Sequence, residues 1–270
     1  MKKLERIPAF LIVLSLIIAL SSCVNGGNSR YQVAERLEEQ RLAVGFRDGD
    51  RAGDIVIAAL KVLQSSGRVR EISLRWFGED VSIYPSDPDA ITNLDMDIEQ
   101  RTFIVGFDDD RLPLSGVDGI GNATGFDAEL ARAVCDLLGW RIKHIAIDMA
   151  NAETELRSGN VDCVWGGFTP DPDSSRITVS PAYMRNSIVL AALSGSRVRS
   201  VNALSGRTLT VSRNYYFNAL LDKNPALRNR PEFVINIPGG TSAAFRELNS
   251  EATDAIITDR FSLDYYLGRN

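Results

Sequence analysis

The strongest constraint in this sequence is an alternation of apolar runs and amphipathic stretches between Thr102 and Trp165. Thr102 to Phe107 reads as a strand, and an irregular acidic, glycine-rich loop follows it. Asp127 is then placed to cap a helix whose Leu130, Val134, Leu137 and Leu138 fall on one face, and Gly139 stops it. Arg141 to Ile147 reads as a second strand, Ala152 to Arg157 as a short helix closed by Gly159, and Val161 to Trp165 as a third strand. The β-α-β-α-β order predicts a mostly parallel sheet covered by helices on both faces.

Two further blocks flank this one. After an apolar strand from Ser187 to Leu193, the Ser/Gly/Arg stretch 194–200 reads as the crossover or hinge into a second α/β unit. That unit has strands at Thr208–Ser212, Phe233–Ile237 and Ala255–Thr258, with helices around Tyr216–Leu221 and Ser242–Leu248 between them. Ahead of the main block, Leu42 to Phe46 is an apolar strand and Arg47 to Asp50 a turn. A helix with an apolar face follows over Ile55–Leu63 and stops at Gly67. Val69, Ile72 and Trp76 mark a second short helix ending at Gly78. From Val81 to Gln100 the periodicity disappears and prolines and aspartates cluster, as in a linker.

The amino terminus reads as a targeting segment. Lys2, Lys3 and Arg6 precede an apolar stretch from Ile7 to Leu20, and Leu20-Ser21-Ser22-Cys23 closes it. That tetrapeptide resembles a bacterial lipobox, which makes Cys23 the lipidated first residue of the mature chain; a cleaved signal peptide or short anchor with a stray cysteine is the alternative. In both cases the protein is expected outside the cytoplasm. The net charge of -5, from 30 basic and 35 acidic residues spread along the chain, offers no stripe for a phosphate backbone, which sets nucleic acid aside. Cys135 on a helix and Cys163 in an apolar run are expected as buried thiols, with a disulfide as the alternative. The single histidine, His144, and the absence of spaced Cys/His sets indicate no metal site and no cofactor.

From Thr102 to Leu267 the chain resembles the first three quarters of the polar amino-acid-binding proteins that serve ATP-binding-cassette importers, the type 2 solute-binding proteins. The motifs are Val105-Gly106-Phe107-Asp108, Gly125 through Ala131, Leu156 through Cys163, Trp165 through Thr169, and Thr253 through Asp259. The segment that closes such proteins, ending in Trp-Phe-Gly, is similar to Leu42–Asp80 at the front of this chain, where Trp76-Phe77-Gly78 stands. The resemblance therefore implies a two-lobed, type II periplasmic-binding-protein-like α/β fold, circularly permuted, with the ligand cleft between the lobes. The generic alternative is that Arg41–Asp80 is an unrelated α/β fragment. The expected organisation is a signal peptide over 1–22, a lipid-anchored tether over 23–40, and a first lobe from 41–80 and 101–193. Residues 81–100 join the family's usual ends, and 194–270 form the second lobe. The 20 residues from Val81 to Gln100 reach roughly 65 Å when extended, enough to cross a lobe.

For an amino-acid ligand the resemblance implies Asp259, the carbonyl of Gly167 and the hydroxyl of Thr169 around the ammonium group. Read alone, Asp259 is a strand-end carboxylate and Thr169 a turn residue. The carboxylate anchor is expected at Arg176, one helical turn beyond the position where the family carries an arginine and this chain has Asp173; a surface role for Arg176 is the alternative. Arg111 stands where the family has a stacking aromatic, and Asn214-Tyr215-Tyr216 replaces a small-residue turn. Asp108 and Arg111 facing the cleft imply a polar or charged ligand side chain, with Tyr215 and Tyr216 either narrowing the pocket or replacing the lost stacking surface. The expected function is capture of a small polar solute, an amino acid, for an importer permease in the same membrane. The alternative is a ligand-sensing or scaffolding lipoprotein with a drifted pocket. No catalytic set is visible, so an enzyme ranks last. A monomer is expected, with a dimer exchanging residues 41–80 as its alternative.

Overall fold

A computed structural model describes residues 29–169 and 177–268. The first part of the chain forms β1 (Tyr31–Leu42), β2 (Gly45–Arg47), α1 (Arg51–Ser65) and α2 (Arg68–Phe77). Then come β3 (Thr102–Phe107), β4 (Asp110–Arg111), β5 (Ser115–Val117), β6 (Ala123–Thr124), α3 (Phe126–Leu138), β7 (Arg141–Ala146) and α4 (Ala152–Ser158). Beyond these lie β8 (Cys163–Val164), β9 (Ile177–Val179), β10 (Met184–Leu193) and β11 (Thr208–Val211). The last elements are α5 (Tyr215–Lys223), α6 (Pro225–Asn229), β12 (Phe233–Asn236), α7 (Thr241–Asn249), β13 (Ala255–Asp259) and α8 (Arg260–Leu267).

The strands make two five-stranded sheets and one small antiparallel sheet of β4, β5 and β6. In the first lobe the order is β7-β3-β8-β2-β9, with β3 parallel to β7 and β8. β2 inserts antiparallel between β8 and β9. In the second lobe the order is β1-β10-β13-β11-β12, parallel among β11, β12 and β13 and antiparallel elsewhere.

The leading block is part of the first lobe. Leu42, Val44, Phe46, Val56, Leu60 and Ile72 share one buried cluster with Phe103, Val105, Leu130, Val134 and Trp165. The helices there obey local rules: Asp50 accepts the Ala52 N–H at the start of α1, and Gly78 ends α2 with φ 75°. Residues 81–100 contain no helix or strand, but Tyr84 is buried and Val81, Ile91, Leu94, Met96 and Ile98 pack against the same core. They form a fitted strap rather than a free linker.

Several expectations need correction. Residues 31–40 are not a tether: β1 runs antiparallel to β10 from the pair Tyr31↔Leu193 to Leu42↔Met184. Likewise 194–200 is not the crossover. The chain changes sheets at 42–45 and 180–184, where Tyr183 N–H bonds the Leu42 carbonyl and Ser180 N–H the Val44 carbonyl. Two adjacent stretches of chain therefore join the lobes, neither of them 194–200, and the Ser187–Leu193 strand belongs to the second sheet. Its faces alternate strictly, Ile188, Leu190 and Ala192 entering one core and Val189 and Ala191 the other. Asp127 does not cap α3; Gly125 stands at that position, and Leu137 on the helix is 43% exposed. Cys135 and Cys163 are free and buried.

Because β2 and β3 bury phenylalanines in one core, Phe46→Ala and Phe103→Ala are each expected to cost about 3–5 kcal/mol. Both should weaken the same urea transition. A Phe46→Ala chain with that transition unchanged would mark the leading block as a separate module.

Candidate functional site

The site lies where the ends of strands from the two sheets face each other, the position that open α/β sheets reserve for ligands. β3 delivers Asp108 and then β4, which carries Asp110 and Arg111 and pairs Arg111 with Ser115. β8 delivers Gly166, Gly167 and Thr169, and β13 from the other lobe ends in Asp259. Gly167 is needed: its φ is 76°, and a Cβ there would lie 2.6 Å from Nη1 of Arg111.

Arg111 is the hub. Its side chain is 1% exposed and that of Asp259 0%, and Arg111 Nε donates to Asp259 Oδ2 at 3.2 Å. Nη1 donates to the Gly167 carbonyl at 2.7 Å and Nη2 to Gln40 Oε1 at 2.7 Å. The other end of the Gln40 amide donates to the Thr169 hydroxyl at 2.6 Å. The guanidinium carbon also sits 5.7 Å from the centre of the Phe217 ring on α5. Asp259 has a second task as N-cap of α8, accepting the Ser262 N–H at 3.0 Å and the Ser262 hydroxyl at 2.9 Å. A buried pair adds little net stability, but removing one member strands the other charge at about 3–5 kcal/mol.

Neighbouring groups tie the lobes further. Asp110 accepts the Ser242 N–H at 3.1 Å and the Ser242 hydroxyl at 2.7 Å, at the start of α7. A carboxylate there also meets the positive end of the helix dipole. The Tyr215 hydroxyl donates to the Thr169 carbonyl. Beneath the glycine loop, Asp127 accepts the Gly167 N–H at 2.8 Å and the Tyr183 hydroxyl at 2.7 Å. Burial pushes the Asp127 carboxyl up to about 7. Asp108 is half-buried, accepts the Asp110 N–H at 3.1 Å, and is pushed up by burial to about 6.

Asp108, Arg111, Gly167, Thr169, Tyr215 and Asp259 are thus brought together. Arg176 and Cys23 lie outside the described residues. Arg111 was expected to face a ligand; all three of its side-chain nitrogens instead bond the protein. Sequence reasoning missed Gln40, Asp110 with Ser242, and the loop-supporting role of Asp127. The available signal for Gln40 was its place two residues before buried Leu42, which sets both side chains on one face of a strand. Among the described residues no group of three or more His, Cys, Asp and Glu side chains is placed to hold a metal.

A model of the bacterial extracellular solute-binding proteins, family 3, matches residues 103–260. The arginine-binding extracellular protein ArtP of Bacillus subtilis (strain 168) is 26% identical over 172 residues, 63% of this chain and 66% of that protein. The match thus spans slightly under two thirds of that relative. An ancestral arginine-binding protein bound to glutamine superposes with TM-score 0.55 at 25% identity, over 63% of this chain and 74% of its own. An ABC uptake transporter substrate-binding protein from Streptococcus pneumoniae with bound histidine gives TM-score 0.55 at 25% identity, over 62% and 70% of the two chains.

The Asp127 carboxyl holds its proton more tightly in the folded chain than in the unfolded one. Its contribution to stability is therefore complete below the ordinary carboxylate range and is lost as pH rises through about 7. Urea titrations of the wild type and Asp127→Asn should show the wild type losing stability relative to the variant between roughly pH 4 and pH 7. A constant difference across that window would contradict the burial argument.

Proposed function

Because the chain belongs to family 3 of the bacterial extracellular solute-binding proteins, we propose that it captures a small polar solute, an amino acid or close analogue, and hands it to an ATP-binding-cassette importer. The observation that carries this reading is the convergence of Gly167 and Thr169 from one lobe and Asp259 from the other on one buried point. Acceptors so arranged suit a cation, and a cleft that excludes water strengthens each contact. The arginine, glutamine and histidine named with the relatives support an amino-acid-sized ligand. In this reading Arg176 anchors the carboxylate, Tyr215 narrows the cleft, and Asp108 faces the ligand's side chain.

The reading is one of capture rather than catalysis. Burial pushes Cys135 up to about 12 and Cys163 well above its ordinary value, while His144 is pushed down to about 4. Neither thiol nor the imidazole is tuned as a nucleophile or base near neutrality, and the raised carboxyls of Asp108 and Asp127 are engaged by donors of the protein itself.

Chain order and anchoring complete the proposal. The family match begins at Phe103, whereas β2, α1 and α2 lie before it yet enter the same core as β3. A circular permutation accounts for both facts, with residues 81–100 joining what would otherwise be the ends. The family is extracellular, so the chain works outside the cytoplasm, and Cys23 supplies the attachment to the membrane. Replacing Cys23 by Ala should move the protein from the membrane fraction to the soluble one; retention in the membrane would remove the lipid anchor.

A second reading, a sensing or scaffolding lipoprotein with a drifted pocket, is favoured by one observation: the protein's own Arg111 engages Asp259 and Gly167. Calorimetric titration with the common amino acids decides between them. Micromolar or tighter binding supports capture, and Arg176→Ala should then weaken it by about 2–5 kcal/mol. Binding of none supports the second reading, and unchanged affinity in the variant would take Arg176 out of the site.

A further inference from the structure

Three acceptors from three elements define a cation position in the cleft: Oδ2 of Asp259 at the end of β13, the Gly167 carbonyl after β8, and Oε1 of Gln40 on β1. One guanidinium reaches all of them, at 3.2, 2.7 and 2.7 Å. The Thr169 hydroxyl, the next acceptor in the group, takes the Gln40 amide at 2.6 Å. Ser262 supplies the remaining bonds to Asp259 through its N–H and its hydroxyl. Each member of the group is already engaged by a donor from the chain itself.

We propose that Arg111 acts as a built-in cation that competes with the amino group of an entering ligand, and that it is the specificity-determining residue of the cleft. A pocket whose buried acceptors wait for a ligand N–H rejects an analogue lacking it by about 10,000-fold or more, because those acceptors are then left without a donor. Here an analogue without the amino group leaves Arg111 in place and every acceptor satisfied. An ammonium-bearing ligand must instead displace three hydrogen bonds before it can form its own, so its advantage is largely cancelled. The cleft is predicted to discriminate poorly between an amino acid and the same molecule without its α-ammonium.

The inference rests on the capture reading, and its test separates the two. Matched probes differing only at the α-amino group are titrated calorimetrically: glutamate against glutarate, glutamine against glutaramate, arginine against 5-guanidinovalerate. In the wild type the members of a bound pair should fall within about tenfold of each other. Arg111→Ala, which frees the acceptors, should favour the amino acid by more than about a hundredfold, and Arg111→Lys, which keeps a cation, should hold the ratio near the wild-type value. Binding of the amino acid by Arg111→Ala but of neither probe by the wild type supports the proposal as well. A wild type that already prefers the amino acid more than about a hundredfold overturns the proposal and leaves capture standing; this comparison needs no variant to fold. An unchanged ratio in Arg111→Ala also overturns it. Binding of no probe by any of the proteins overturns capture, and the inference with it.

Discussion

The antiparallel pairing of β1 with β10 is the constraint on which the rest of the molecule depends. From Tyr31↔Leu193 to Leu42↔Met184 the two strands stay paired, the register shifting by one residue between Val33 and Glu35 and again between Arg36 and Glu38. β1 forms one edge of the second sheet, β10 lies between it and β13, and both lead towards the first lobe at one end. That end fixes where Leu42, Val44 and Phe46 enter the first core and where Gln40 meets Thr169 and Arg111. A one-residue slip would turn Gln40 outward and Arg41 inward, since successive strand residues face opposite sides. Backbone register thus sets side-chain chemistry at the cleft.

Within that frame the electrostatics are local and dense. Asp108, Asp109, Asp110 and Arg111 follow one another directly after β3, and three of them reach across the lobes. Asp110 meets the amino end of α7 and Arg111 meets Asp259; Asp109 approaches Arg213 at 3.9 Å, an exposed contact of small worth. The buried contacts matter because little water screens them. The fold sets the cleft where open α/β sheets bring strand ends together, while this run of charges distinguishes it from a generic one.

Much of the architecture was legible because its signals are local. The helix stops at Gly67, Gly78, Gly139 and Gly159, the apolar run of β3 and the alternating pattern of β7 are short-range signals that tertiary context did not override. The strand over Tyr31–Leu42 was not legible. Its exposed Glu35, Arg36, Glu38, Glu39 and Arg41 suit an edge strand, and its irregularities break the alternation that would have revealed it. The small sheet of β4, β5 and β6 was hidden for a related reason, its strands being two or three residues long. At the site, Asp259, Gly167 and Thr169 were readable through motif resemblance. The engagement of Arg111 was not, because it depends on three partners separated from it by 148, 56 and 71 residues.

Gln40 belongs at once to the pivot and to the pocket. Its amide is held at both ends, by Arg111 on the oxygen and by Thr169 on the nitrogen, two residues before the chain leaves one sheet for the other. Any shift of the Arg111 guanidinium therefore pulls on the backbone at the joint. A single side chain thus ties the Arg111 guanidinium and the Thr169 hydroxyl to the strand at the joint between the two sheets.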